Sequence, residues 1–172
     1  EACRRPIIGA INGAAIAGGF EIALACDVLV ASTNARFADT HARVGVMPGM
    51  GMTVRLPQLI GIDRARFMSL TGDFVDARRA YEWGLVVEVV AHEQLLDRCC
   101  EIGRHIAGLP ERNVAELRDL YDHVGAHLGE DAWEAESARS RTWMAREFDQ
   151  ARLRAVRGDI IERGRSQQGD TR

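Results

Sequence analysis

Residues 12–27 read NGAAIAGGFEIALACD, and this stretch decides the fold because it joins glycine clusters to an apolar run. Gly18 and Gly19 have no side chain, so the backbone there can come close to another group. The run over residues 20–26 predicts a short buried helix with Glu21 in its first turn. Backbone N–H groups are free at that end of a helix and favour a negative charge. Glu21 is therefore either a first-turn acid with a local role or a functional carboxylate.

Short strands are predicted on both sides of this stretch. Residues 6–11 form an apolar run closed by a turn, which is typical of a strand, and residues 14–19 are predicted as a loop. The run VLVAS at 28–32 is typical of a strand buried on both faces, and ARFAD at 35–39 predicts another strand. This alternation of strand, turn, helix and strand indicates an α/β core.

The rest of the chain is mainly helical by its pattern. A loop containing Pro48 leads into a helix, and residues 62–71 have apolar positions at helical spacing up to Gly72. The run LVVEVV at 85–90 predicts a further strand. Beyond it the pattern is helical, and the first of these helices has an apolar stripe formed by Leu95, Leu96, Cys99, Ile102 and Ile106.

Composition excludes several classes of partner. The chain has 172 residues, 47% of them hydrophobic, and a formal net charge of -3. This charge gives no reason to expect nucleic acid or an anionic membrane as a partner. No apolar run reaches the roughly 18 residues that a membrane helix needs. All 22 basic residues are arginine, so this chain offers no lysine for a Schiff base or a phosphate-binding P-loop.

The cysteines indicate a compartment rather than a chemistry. None of them is spaced as a Cys-x-x-Cys pair, and two are adjacent in the sequence. We expect free, mostly buried thiols and therefore a reducing, cytoplasmic location. The four residues are Cys3, Cys26, Cys99 and Cys100.

Metal and nucleophilic chemistry find little support in the sequence. His123 and His127 are four residues apart, but the glutamate of a His-Glu-x-x-His motif and a third ligand are missing, so no metal site is predicted. No serine lies in a Gly-x-Ser-x-Gly elbow, and Cys26 is expected to be inert in its apolar helix. The glycine loop matches neither a Walker sequence nor a dinucleotide fingerprint.

Gly18, Gly19 and Glu21 together suit one kind of chemistry. Backbone N–H groups in a glycine turn can stabilise an oxyanion as it forms. A carboxylate a few ångströms away can take or give a proton. The arrangement therefore predicts a site that polarises a carbonyl group and moves a proton beside it.

Residues 6–61, PIIGAINGAAIAGGFEIALACDVLVASTNARFADTHARVGVMPGMGMTVRLPQLIG, resemble the crotonase family, also called the enoyl-CoA hydratase/isomerase family. The resemblance continues through LTGDFVDARRAYEWGLVVEVV at 70–90. It implies a crotonase-type ββα spiral core over residues 1–95. It also implies a helical C-terminal region over residues 96–172 that packs in trimerisation. The implied assembly is a homotrimer or a dimer of trimers.

The resemblance implies roles for three residues. Gly18 matches the position whose backbone N–H forms half of an oxyanion hole for an acyl-CoA thioester. Glu21 matches one of the two acids that hydratases use. The position of the second acid holds His41, which departs from the family pattern. Histidine also transfers protons near neutral pH, its reference pKa being about 6.5. His41 is therefore either a substitute for that acid or a loop histidine without catalytic duty.

Substrate contacts are implied by the same resemblance. The loop around Pro48 matches the one that lines the acyl pocket, and Met47, Met50 and Met52 either make this pocket adaptable or belong to the core. Arg163 and Arg165 lie near where the family supplies a basic contact to CoA phosphate, although a solvated helix end explains them equally well. The implied substrate-binding residues are Ala14, Ile16, Gly19, Pro48, Gly49, Met50 and Arg163.

The expected activity is the reversible hydration of a 2-enoyl-CoA thioester. The resemblance implies no metal or redox cofactor, and CoA is part of the substrate. Two alternatives remain open: another reaction of the family, such as isomerisation or thioester hydrolysis, and non-catalytic acyl-CoA binding. Family members carry a segment ahead of the strand at 6–11 that supplies the second oxyanion N–H group. We therefore expect these 172 residues to be the C-terminal portion of a longer polypeptide or a chain whose N-terminal segment has been removed.

Overall fold

The computed structural model describes residues 3, 5–45, 47–123, 138, 142, 145–146 and 150–151. Backbone contacts divide the chain into residues 1–118 and residues 119–172. Both sheets and the candidate site belong to the first of these units. The boundary at residue 95 and the trimerisation role of the C-terminal region stay predictions.

Strands and helices alternate along the described part of the chain. The strands are β1 (Ile8–Ile11), β2 (Ala14–Ile16), β3 (Val28–Ser32), β4 (Arg36–Ala38), β5 (Val75–Asp76) and β6 (Glu88–Val90). The helices are α1 (Gly18–Leu24), α2 (His41–Val44), α3 (Met52–Ile60), α4 (Ile62–Thr71), α5 (Ala77–Glu82), α6 (Leu95–Ala107) and α7 (Glu111–His123). The α/β class predicted from the sequence is confirmed.

Two three-stranded sheets carry these helices. One has the strand order β1-β3-β6 with all pairs parallel, and the other has the order β2-β4-β5. In the second sheet β2 and β4 are parallel, whereas β4 and β5 are antiparallel. Helical crossovers therefore connect the parallel neighbours, as expected for an α/β core.

The register of the second sheet decides which residues meet. Ile16 at the end of β2 pairs with Ala38 at the end of β4. Because the two strands are parallel, the residues that follow them emerge at the same edge of the sheet. The N–H group of Ala17 also donates a hydrogen bond of 3.1 Å to the carbonyl oxygen of Ala38. The segments after β2 and β4 are thus held side by side.

The main core lies beneath α1 and the second sheet. Phe20 of α1 packs against Phe37 of β4 with a ring-centroid distance of 5.5 Å, and both side chains are fully buried. A smaller cluster joins Val30 of β3 to Leu95 and Cys99 of α6. Burial of one face of α1 therefore fixes the direction of every other side chain on that helix.

Several predicted details are corrected by the structure. Residues 14–19 do not form a continuous loop, because residues 14–16 pair with β4. The helix begins at Gly18 and ends at Leu24, two residues earlier at each end than predicted. Cys26 therefore lies outside it, half-buried, and burial followed by the charge of Asp27 raises the pKa of its thiol.

Two further expectations about buried side chains are wrong in part. Leu96 does not belong to the apolar stripe of α6, since it is 70% exposed. The apolar stripe is therefore narrower than the sequence indicated. The four thiols are free, as predicted, but Cys3 and Cys100 are exposed rather than buried. The strand predicted at residues 85–90 is also shorter, because Leu85 and Val86 enter the core before β6 begins.

Candidate active site

Glu21 is a buried carboxylate with two backbone partners. It lies in the first turn of α1, is 2% exposed, and shares the buried side of the helix with Phe20. Its Oε1 atom accepts hydrogen bonds from the N–H groups of Met50, at 2.7 Å, and Met52, at 3.2 Å. A buried carboxylate needs such donors, because without them its desolvation is costly. The segment after α2 thereby orients Glu21.

His41 faces Glu21 from the neighbouring strand end. It is the first residue of α2, three residues beyond the end of β4, and is buried. Its Nε2 atom lies 3.7 Å from Oε2 of Glu21, and its Nδ1 atom lies 2.6 Å from Oδ1 of Asp39. The imidazole is therefore placed between two carboxylates. The structure thus brings together the two groups that the sequence singled out for proton transfer.

Asp39 and its partner Ser69 are the members of this site that sequence reasoning missed. Asp39 is 1% exposed, and its Oδ2 atom accepts a hydrogen bond of 2.6 Å from the hydroxyl of Ser69 in α4. Burial opposes ionisation of Asp39, but hydrogen bonds from Ser69 and His41 outweigh it and lower the pKa of the carboxyl group. A signal was present, because an acid directly after a buried strand and two residues before His41 is unusual for a solvated loop. Glu21, Asp39, His41 and Ser69 are called the polar cluster below.

Gly18 follows a strained turn. Ala17 has φ of +48° and ψ of -118°, a backbone conformation that residues with a side chain rarely adopt. The hydrogen bond from Ala17 to β4 and the start of α1 on the next residue hold it there. A methyl group added at Gly18 would lie 3.5 Å from Cε of Met50. A side chain at position 18 would therefore be in ordinary van der Waals contact with Met50.

An exposed apolar segment borders the polar cluster. Residues 47–51, called the methionine loop below, contain Met47, which is 82% exposed, and Met50, which is 58% exposed. Met52, just beyond it, is 1% exposed and belongs to the core. Met52 therefore belongs to the core, which was one interpretation of the methionines. Met47 and Met50 are exposed, as the other interpretation, an apolar pocket lining, requires.

The remaining predicted contact residues are spread over β2, α1 and the methionine loop. Ala14 and Ile16 lie on the exposed face of β2, and Gly19 is exposed in the first turn of α1. Pro48 and Gly49 lie within the methionine loop. Of these positions, Ile16 lies at the end of β2 that is paired with the end of β4, whereas Ala14 lies at the start of that strand. Arg163, Arg165 and His127 lie outside the described residues.

The described residues contain neither a candidate membrane-spanning helix nor a cluster of metal-ligating side chains. No helix there combines the length and the apolar content that a bilayer crossing requires. No group of three or more potential metal-ligating side chains occurs among the same residues.

Comparisons with known proteins point to one family. A family model described as enoyl-CoA hydratase/isomerase matches residues 1–159. The Arabidopsis thaliana protein named probable enoyl-CoA hydratase 1, peroxisomal, is 49% identical over 120 residues, which are 70% of this chain and 45% of that protein. Carnitinyl-CoA dehydratase of Citrobacter koseri is 38% identical over 117 residues, 68% of this chain and 45% of that protein.

Solved structures give the same result. The crystal structure of enoyl-CoA hydratase from Mycobacterium smegmatis is similar with a TM-score of 0.71 and 50% identity. The match covers 84% of this chain and 66% of that one. The chain spans a little under half the length of the two curated relatives that it matches.

Proposed function

The chain belongs to the enoyl-CoA hydratase/isomerase family, with a crotonase-type fold, and we propose that its protein catalyses the reversible hydration of 2-enoyl-CoA thioesters. The observation that carries this proposal is the buried pair formed by Glu21 and His41, whose facing atoms are 3.7 Å apart. Two proton-transfer groups at this distance can act on one bound substrate. Both follow paired parallel strands, so the sheet holds their spacing.

In the hydration direction, Glu21 accepts a proton from a water molecule while the water oxygen forms a bond to C3 of the enoyl group. The π electrons of the C2–C3 double bond then move towards the thioester, whose oxygen gains negative charge. The backbone N–H of Gly18 stabilises that charge. His41 enters the cycle as an imidazolium with a proton on each ring nitrogen, and it donates the Nε2 proton to C2, which restores the thioester carbonyl. Transfer of the proton from Glu21 to His41 returns both groups to their initial state.

The polar cluster supports a catalytic role for His41 over the role of a bystander. A histidine without duty in a loop gains nothing from burial between two carboxylates, because desolvating all three groups is costly. Here the imidazole has Asp39 on one side and Glu21 on the other. Among the residues that the structure describes, no comparable contact favours the second candidate, non-catalytic acyl-CoA binding.

Membership of the family supports further proposals about the substrate and the assembly. We propose an acyl-CoA thioester as the bound ligand, no metal or redox cofactor, and a homotrimer or a dimer of trimers as the assembly. The exposed methionines would contact the acyl chain, and Arg163 would contact a CoA phosphate. A cytoplasmic location is proposed from the free thiols, although the Arabidopsis relative is named peroxisomal.

The test is an assay of the full-length protein with crotonyl-CoA and longer 2-enoyl-CoA thioesters. Turnover is followed by loss of the enoyl absorbance, and binding is followed in parallel by calorimetry. We expect turnover that depends on Glu21. Binding without turnover at every chain length would instead support the non-catalytic candidate, and absence of both would overturn the proposal.

A further inference from the structure

We propose that Asp39, anchored by Ser69, is a positioning residue that fixes the ring of His41 with Nδ1–H towards Asp39 and Nε2 towards Glu21. The geometric part of this proposal concerns the resting protein alone. Its kinetic part rests on the proposed hydration activity. The two parts can therefore be tested separately.

The hydrogen bonds of Asp39 leave its carboxylate one orientation. Oδ1 accepts from the backbone N–H of His41, at 3.2 Å, and is 2.6 Å from the ring atom Nδ1. Oδ2 accepts from the hydroxyl of Ser69 at 2.6 Å. Rotation of the carboxylate would break all three contacts. Oδ1 is thus held by donors of α2, and Oδ2 is held by a donor of α4.

This orientation also decides which ring nitrogen of His41 carries a proton. An ionised carboxylate can only accept hydrogen bonds, so the nitrogen beside Oδ1 must be the donor. Nδ1 is therefore protonated, and Nε2 is the nitrogen available for proton exchange at the substrate side. The lowered pKa of Asp39 agrees with an ionised carboxylate at neutral pH.

The surroundings of His41 contain no competing partner among the described residues. Glu21 faces the ring from α1, Asp39 faces it from the end of β4, and α4 contributes Ser69 through Asp39. Arg43, on the same short helix, donates to the carbonyl of Thr71 and to Asp73. Its charge is thereby directed towards the end of α4 rather than towards the ring.

α4 therefore supports the histidine at two points. The hydroxyl of Ser69 holds the carboxylate in front of His41, and the contacts of Arg43 with Thr71 and Asp73 hold α2 behind it. Gly72 makes room for the second contact, since a Cβ atom there would collide with the Arg43 side chain. A four-residue helix cannot fix a side chain by itself, so these anchors supply the rigidity that proton transfer requires.

The kinetic test is a double-mutant cycle in the full-length protein. Asp39→Asn keeps the size of the side chain and removes its charge, and His41→Ala removes the ring through which Asp39 is proposed to act. We expect Asp39→Asn to lower kcat by about 10- to 100-fold, the loss typical of changing a carboxylate that orients a metal-bound histidine, with KM within about twofold. In the His41→Ala background the same change should have less than about a twofold effect.

Controls separate positioning from folding. Asp97→Asn makes the same chemical change at an exposed position of α6 and should leave kcat and KM unchanged. Ser69→Ala leaves Asp39 ionised but frees one of its oxygens, so its effect on kcat should be smaller than that of Asp39→Asn. An equal loss in both backgrounds would show that Asp39 acts on the fold, and the kinetic part would be wrong.

The geometric part is tested by nuclear magnetic resonance on ¹⁵N-histidine-labelled protein without substrate. We expect a downfield-shifted proton bound to Nδ1 of His41 that disappears in Asp39→Ala. A proton found on Nε2 alone would overturn the positioning role whatever the enzyme assay gives. If the resonance is present while the protein hydrates no 2-enoyl-CoA, the hydration proposal fails and the ring geometry stands.

Discussion

The polar cluster and the methionine loop adjoin one another but are built in opposite ways. The side chains of Glu21, Asp39 and His41 are buried, and among the described residues no buried side-chain nitrogen or oxygen lacks a hydrogen-bond partner. The methionine loop exposes Met47 and Met50. The comparison teaches that the groups placed to move protons are held rigidly, while the apolar surface beside them stays adaptable.

The two regions are nevertheless joined through the backbone. The N–H group of Met50, whose side chain is exposed, donates to Oε1 of Glu21 at 2.7 Å. The methionine loop thus contributes its backbone to the rigid region and its side chains to the adaptable one. Substitutions of side chains should separate these contributions, because they leave the backbone donors in place.

Glu21→Gln should have the largest effect on turnover. The glutamine oxygen can still accept from the N–H groups of Met50 and Met52, so we expect the fold to survive. Hydration should fall by about 10²-fold or more, because the general base is lost. The measurement is the crotonyl-CoA assay together with thermal unfolding. Glu93→Gln, at an exposed position, is the matched control. Near-normal activity of Glu21→Gln would show that Glu21 is not catalytic and is only an acid in the first turn of α1.

A second prediction concerns the identity of the residue at position 41. His41→Glu would place a third carboxylate beside Asp39 and Glu21, and like charges in a buried site disfavour joint ionisation. We therefore expect this variant to turn over at least about 10-fold more slowly than the parent. Adding Asp39→Asn should recover part of the loss, since it removes one of the three charges.

The assay compares His41→Glu with the double variant at equal protein concentration, and circular dichroism checks the fold of each. Recovery in the double variant would show that the charge of Asp39 suits histidine and not glutamate. Equal activity of the two variants would contradict the expected repulsion between Asp39 and a glutamate at position 41.

Much of this site was accessible from the sequence because its signals are local. The glycine pair, the first-turn position of Glu21 and the buried strand at 28–32 follow from backbone freedom and hydrophobic patterning. The resemblance to the crotonase family, whose motifs occur here in the same order, predicted that His41 lies in the same site as Glu21. None of these required knowledge of long-range contacts.

The missed features depend on register and packing. Asp39 became visible only when β2 and β4 were seen to end together and α4 brought Ser69 to the same place. Strand β2 was predicted as loop because three residues of alanine and isoleucine give too short a pattern. Leu96 was assigned to the apolar stripe of α6 because spacing alone does not fix the edge of such a stripe.

A third prediction uses the lowered pKa of Asp39. The ordinary value is 3.8 and the folded value lies below it, so the unfolded chain binds the proton first as the pH falls. The stabilisation is complete above the ordinary value and is lost as the pH falls through the folded value. The free energy of unfolding of the parent should therefore decrease between about pH 5 and about pH 3 more steeply than that of Asp39→Asn.

Urea unfolding at the two pH values measures this difference. Other carboxyl groups titrate in the same range, but they are common to both proteins and cancel in the comparison. Parallel pH dependences of the two proteins would show that the hydrogen bonds of Asp39 do not stabilise its ionised form.

The smallest effect is expected from Met50→Ala, which tests the adaptable side of the comparison. The side chain of Met50 is mostly exposed and reaches to 3.5 Å from the position of a methyl group on Gly18. Its truncation removes apolar surface that the acyl chain would cover, so KM for long acyl chains should rise about two- to fivefold. The kcat value should stay within about twofold, because the backbone donor to Glu21 is retained. Leu96→Ala, on exposed α6 surface, should change neither constant. A fall in kcat with unchanged KM would instead mean that the Met50 side chain holds Glu21 in place, and the methionine loop would then belong to the rigid region.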